Sequence, residues 1–88
     1  MEINAAMVRN DEETFMVVIV NKEVMESSFT IRQARDIFKK YFPLYPIVLM
    51  AQNERYDEVF DGPEAIVKYL SKIDIRKLPW STYTVKQK

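Results

Sequence analysis

The chain has 88 residues, 13 basic and 13 acidic side chains, no histidine, no cysteine and one glycine. That excludes an imidazole titrating near neutral pH, a thiolate nucleophile, a Cys/His zinc site and any disulfide. It also excludes a Gly-rich phosphate loop, and the length fits one domain, residues 1–88.

Apolar residues make up 48% of the chain, with five Phe, five Tyr, five Met and one Trp. This predicts a packed core rather than disorder. The core must hold unaided or with help from a partner subunit. The longest apolar run, Phe15–Val20, falls far short of the roughly 20 residues that span a bilayer. No basic segment followed by an apolar one comes after Met1. A cytoplasmic protein that meets no membrane is the expectation. Charge is balanced overall but unevenly placed: residues 1–30 carry −4, residues 31–56 carry +3, residues 57–75 carry −3 and residues 76–88 carry +4. Such alternation suits a patterned surface or head-to-tail self-association.

The N-terminal third reads as a β-meander. Ile3–Val8 is a strand candidate. Phe15–Val20 is apolar on both faces and β-branched, as a central strand is. Val24–Ser28 is a weaker third strand, and Met7, Met16 and Met25 recur at nine-residue spacing. Asn10, Asn21 and Asn53 mark the turns, where asparagine replaces glycine because it tolerates positive φ. Thr30-Ile31-Arg32-Gln33 reads as a capping box with Phe29 and Ala34 at the staple positions. Ile31, Ala34, Ile37, Phe38, Tyr41 and Phe42 then form one apolar helical face, and Pro43 ends the helix. Ile47–Ala51 and Tyr56–Phe60 predict a hairpin with an acidic edge strand. A second helix starts at Asp61-Gly62-Pro63-Glu64, with Ala65, Ile66, Tyr69, Leu70 and Ile73 as its stripe. Ser81–Val85 is a last strand candidate.

The expected fold class is α+β: a small mixed or antiparallel sheet, built from the meander followed by α-β-β-α, with two helices on one face. If the N-terminal strands count as one, the order is βαββαβ, a ferredoxin-like arrangement.

Carboxylates are the remaining catalytic or metal-binding candidates. The densest set is Asp57, Glu58, Asp61 and Glu64. Its spacing matches no calcium loop, and edge-strand solubility and helix capping account for it. No catalytic residue, metal ligand or cofactor is assigned, and the protein is expected not to be an enzyme. Two binding surfaces remain. The first is a protein interface anchored on Tyr45, Leu78, Trp80 and Tyr83, serving another protein or a homodimer. The second is a nucleic-acid surface using Arg32, Arg35, Lys39 and Lys40 of the first helix with Arg76 and Lys77, beside tail residues Lys86 and Lys88. Zero net charge weighs against the second.

Overall fold

The computed structural model describes residues 2–85, so Lys86 and Lys88 lie outside the described residues. Among the described residues five strands form one sheet: β1 (Glu2–Arg9), β2 (Thr14–Ile19), β3 (Ile47–Gln52), β4 (Glu58–Asp61) and β5 (Trp80–Thr84). Helix α1 (Ser28–Tyr41) follows β2, and α2 (Glu64–Leu70) follows β4. The strand order is β4-β3-β2-β1-β5. β2 and β3 run parallel, and every other neighbouring pair is antiparallel. The fold is the expected α+β mixed sheet with two helices. Because β1 lies between β2 and β5, the ferredoxin-like order does not apply.

β2 is the central strand, and Phe15, Met16, Val17 and Val18 are all buried. A strand buried on both faces needs cover on both. The two helices supply it from opposite sides, which corrects the expectation that they share a face. Ala6, Val8, Phe15, Val17 and Val48 pack with Ile66 and Leu70 of α2. The alternate residues Ile3, Ala5, Met16, Val18 and Leu49 pack under Ile31, Ala34 and Phe38 of α1. One sheet therefore carries two small cores back to back.

The third meander strand is absent. Lys22–Glu26 forms a short 3-10 helix, and Val24 and Met25 tuck against the α1-side core. The chain must leave the sheet here, because β3 returns parallel to β2 and a parallel return requires a crossover. Met7 does pair directly with Met16 across the β1–β2 hairpin, but Met25 belongs to the crossover.

The turns are built differently from the expectation as well. The Asn10 side-chain oxygen accepts from the Glu12 and Glu13 amides at 2.8 Å each. Asn53 does the same for Arg55 at 2.8 Å and Asp57 at 3.0 Å. These asparagines work through side-chain hydrogen bonds. The described non-glycine residue with positive φ is Tyr56, at 63°. Helix α1 is capped by Ser27, three residues before the expected Thr30: the Ser27 hydroxyl accepts from the Thr30 amide at 3.1 Å. The Thr30 hydroxyl instead donates to the Val24 carbonyl at 2.6 Å, tying the helix start to the crossover.

Gly62 sits where β4 turns into α2. A Cβ there would meet Val48 Cγ2 at 2.9 Å and the Val48 Cα at 3.4 Å. Val48 is fully buried in β3 and has no room to yield. Gly62→Ala is therefore expected to destabilise the fold by about 1–3 kcal/mol through overpacking. A urea titration would read this as a lower midpoint with an unchanged slope.

Candidate functional site

The four expected interface anchors divide into two pairs. Tyr45 and Tyr83 pack on the α1-side core, and the Tyr83 ring stands edge-on to Phe42 with centroids 5.2 Å apart. Leu78 and Trp80 pack on the α2-side core. The Trp80 indole N–H donates to the Ile75 carbonyl at 2.9 Å. All four are half-buried, and the sheet separates one pair from the other.

The basic residues divide in the same way. Arg32, Lys39 and Lys40 are exposed on α1. Arg35 turns inward instead. It donates to the Asp61 carboxylate at 2.8 Å and to the Asp61 carbonyl at 2.7 Å, clamping α1 to the end of β4. Asp61, expected as a cap for α2, is thus the partner of α1, and Pro63 takes the α2 cap position. Arg76 and Lys77 lie in a second 3-10 helix, Ile75–Lys77, on the α2 side of the sheet. The Asp74 carboxylate accepts from the Arg76 amide at 3.0 Å and from its Nε at 3.2 Å. These bonds to Arg76 hold the Asp74 carboxyl below the usual carboxylate range and push the Arg76 guanidinium up. Arg76 and Lys77 therefore lie across the sheet from the basic groups of α1.

Arg35→Ala is expected to cost about 1 kcal/mol. A charge-assisted hydrogen bond is worth more when dry, but the Asp61 side chain is 39% exposed and water replaces part of it. Arg35→Lys recovers little, because an ammonium does not reproduce the planar fork that meets the carboxylate and the carbonyl together. Denaturant midpoints of the two variants check this.

No family model, curated protein or solved structure matches the chain. The geometry alone therefore carries the functional reading.

The surface has two notable features. The first is α1, which leaves apolar side chains exposed along its length. No residue of this 14-residue helix is buried, and Phe29, Ile37 and Tyr41 are exposed at 72%, 40% and 36%. Leu44, just beyond the helix, is 84% exposed. Of these four, only Leu44 stands apart from the apolar face and staple positions assigned from periodicity. The apolar face from Ile37 to Phe42 spans about 140° of the helix, and the structure leaves its Ile37 edge and Tyr41 in solvent. The second feature is a groove of about 490 Å³ between the start of the β2–α1 crossover, the end of β3 and the second 3-10 helix. Ile19 and Met50 lie in it, with Ile75, Trp80, Glu58 and Arg76 around them.

The four clustered carboxylates do not converge. Asp61 binds Arg35, Glu64 pairs with Lys68 at 3.3 Å, and Glu58 borders the groove. Among the described residues no three acidic groups are placed to hold a metal ion. Among them too, no helix is long and apolar enough to cross a membrane.

Proposed function

We propose that this protein is a small non-enzymatic module that works by contact with another protein or with a second copy of itself. One observation carries the reading: α1 presents Phe29, Ile37 and Tyr41 to solvent, with Leu44 at its end. A single exposed apolar residue needs no explanation, but Ile37 and Tyr41 lie one turn apart on α1 with Leu44 just past its end, and such a group marks a contact surface, with Phe29 exposed separately at the start of the helix. Aromatic side chains on such a surface supply large contact area and are favoured anchors. The half-buried Tyr45, Leu78, Trp80 and Tyr83 are then supports of the two cores, with their outer edges available to a partner.

The test is a double variant, Phe29→Ser with Leu44→Ser. Both residues are more than 70% exposed, so the melting temperature is expected to hold within a few degrees. Capture of partners from native lysate treated with nuclease is expected to fall at least about tenfold, a loss of about 1.4 kcal/mol in binding. Undiminished capture by the double variant overturns the reading. Disappearance of the wild-type signal on nuclease treatment reassigns the contact to nucleic acid.

A further inference from the structure

The two edges of the sheet differ sharply. β4 is four residues long and carries Glu58 and Asp61, with Asp57 just before it. Short length and charge protect an edge from pairing with another chain. β5 at the opposite edge reads Trp80-Ser81-Thr82-Tyr83-Thr84. It contains no charge and no proline, and among the described residues it pairs with β1 on one side only. Its β-branched and aromatic residues favour an extended, pleated strand. Such an edge is a ready template for one more strand.

We propose that this strand is the β5 of a second copy, paired antiparallel about a two-fold axis so that two five-stranded sheets become one continuous sheet. The proposal rests on the reading above, that the protein works by protein contact, and names the partner. Self-pairing suits this strand because of what it places opposite what. With the axis at Thr82, Thr82 meets Thr82, Ser81 meets Tyr83 and Trp80 meets Thr84. Threonine pairs and aromatic–β-branched pairs are favourable across strands, and no like charges are opposed. The same operation on β4 would set its acidic residues against each other.

A five-residue ladder alone is small beside the roughly 1,200 Å² that a stable interface buries. Helix α1 adds exposed apolar surface from the same side. The edge-on contact of Phe42 with Tyr83 brings the end of α1 over β5. Arg35 fixes the opposite flank of α1 to β4. Ile37 and Tyr41 lie about 160° and 120° around the helix from Arg35, so their exposed flank is turned from β4 toward the β5 edge. Pairing the two β5 strands thus brings two apolar helix flanks toward one axis. An isologous contact of this kind closes on itself and stops at a dimer.

The experiment is sedimentation velocity on the full chain over a wide concentration range. The wild type is expected to pass from monomer to dimer. Thr82 is exposed, and its hydroxyl makes one bond, to Asn4 Oδ1 at 2.9 Å, so Thr82→Lys is expected to fold normally by circular dichroism and melting. It is expected to weaken the dimer at least about tenfold, because like charges then meet on the axis. Thr82→Glu is expected to do the same. A one-to-one mixture of the two variants is expected to recover the dimer, since opposite charges now meet; a fold defect would not be repaired by mixing. Val59→Lys, on the other edge, is expected to leave the dimer intact. A wild type that stays monomeric overturns the proposal, and so does a dimer indifferent to both Thr82 substitutions. Either result leaves the Phe29 and Leu44 capture experiment to decide the broader reading separately.

Discussion

Phe15→Ala is expected to lower the melting temperature by about 15–30 °C. Phe15 is fully buried in the central strand, and its ring stands edge-on to Tyr69 with centroids 6.3 Å apart. Truncation removes the transfer free energy of the ring and leaves a cavity lined by residues the sheet holds in place, a cost of about 3–5 kcal/mol. The total stability of a chain this long is about 4–13 kcal/mol. The substitution therefore removes a large share of it, and the smaller the starting stability, the nearer the variant comes to being unfolded at room temperature. Calorimetry gives the shift directly. Phe15→Leu, which keeps most of the volume, is expected to lose much less. A melting temperature within a few degrees of wild type for Phe15→Ala would show that the two-core packing described above is wrong.

Trp80→Ala carries the second large effect, about 2–4 kcal/mol, or roughly 10–20 °C in melting temperature. Trp80 begins β5, packs on the α2-side core and donates its indole N–H to the Ile75 carbonyl. It therefore joins the second 3-10 helix to the sheet. The cost is set below that of a fully buried tryptophan because the side chain is only half-buried. Trp80→Phe separates the two contributions: it keeps most of the packing and loses the hydrogen bond, for about 1 kcal/mol. A melting temperature unchanged in Trp80→Ala would remove Trp80 from the core and make it a surface anchor alone. Because Trp80 also borders the groove and starts the exposed edge strand, its truncation affects fold and contact together. Thr82 and Leu44 are cleaner probes of contact, being exposed where Trp80 is not.

Element types were largely legible in the residues, because they follow from local patterns. The apolar runs at Phe15–Val20 and Ile47–Ala51 became β2 and β3, the acidic hairpin strand became β4, and the C-terminal candidate became β5. The failures have a shared cause. Val24–Ser28 has strand-like composition, but the parallel return from β2 to β3 needs those residues in a crossover. Thr30 has capping chemistry, but Ser27 reaches the helix start first and leaves Thr30 to bind Val24. Arg35 shares the polar side of α1 with Arg32 and Lys39, and only the nearness of Asp61 on another element turns it inward. The expected anchors lie on two sides of the sheet because residues adjacent in sequence alternate between its faces. Thus Trp80 supports one core while Tyr83 supports the other.

By itself the sequence determined what chemistry is available and which segments are strands or helices. Histidine and cysteine are absent wherever the chain goes, and periodicity acts over neighbouring residues. It also held the sign that two covers were needed, since a strand apolar on both faces cannot leave either one wet. Only the tertiary structure decided which helix covers which face, that Gly62 lies against Val48, and that β5 rather than β4 forms the uncharged edge. Those are relations between residues far apart in the chain, set by strand order and register, and no local pattern encodes them.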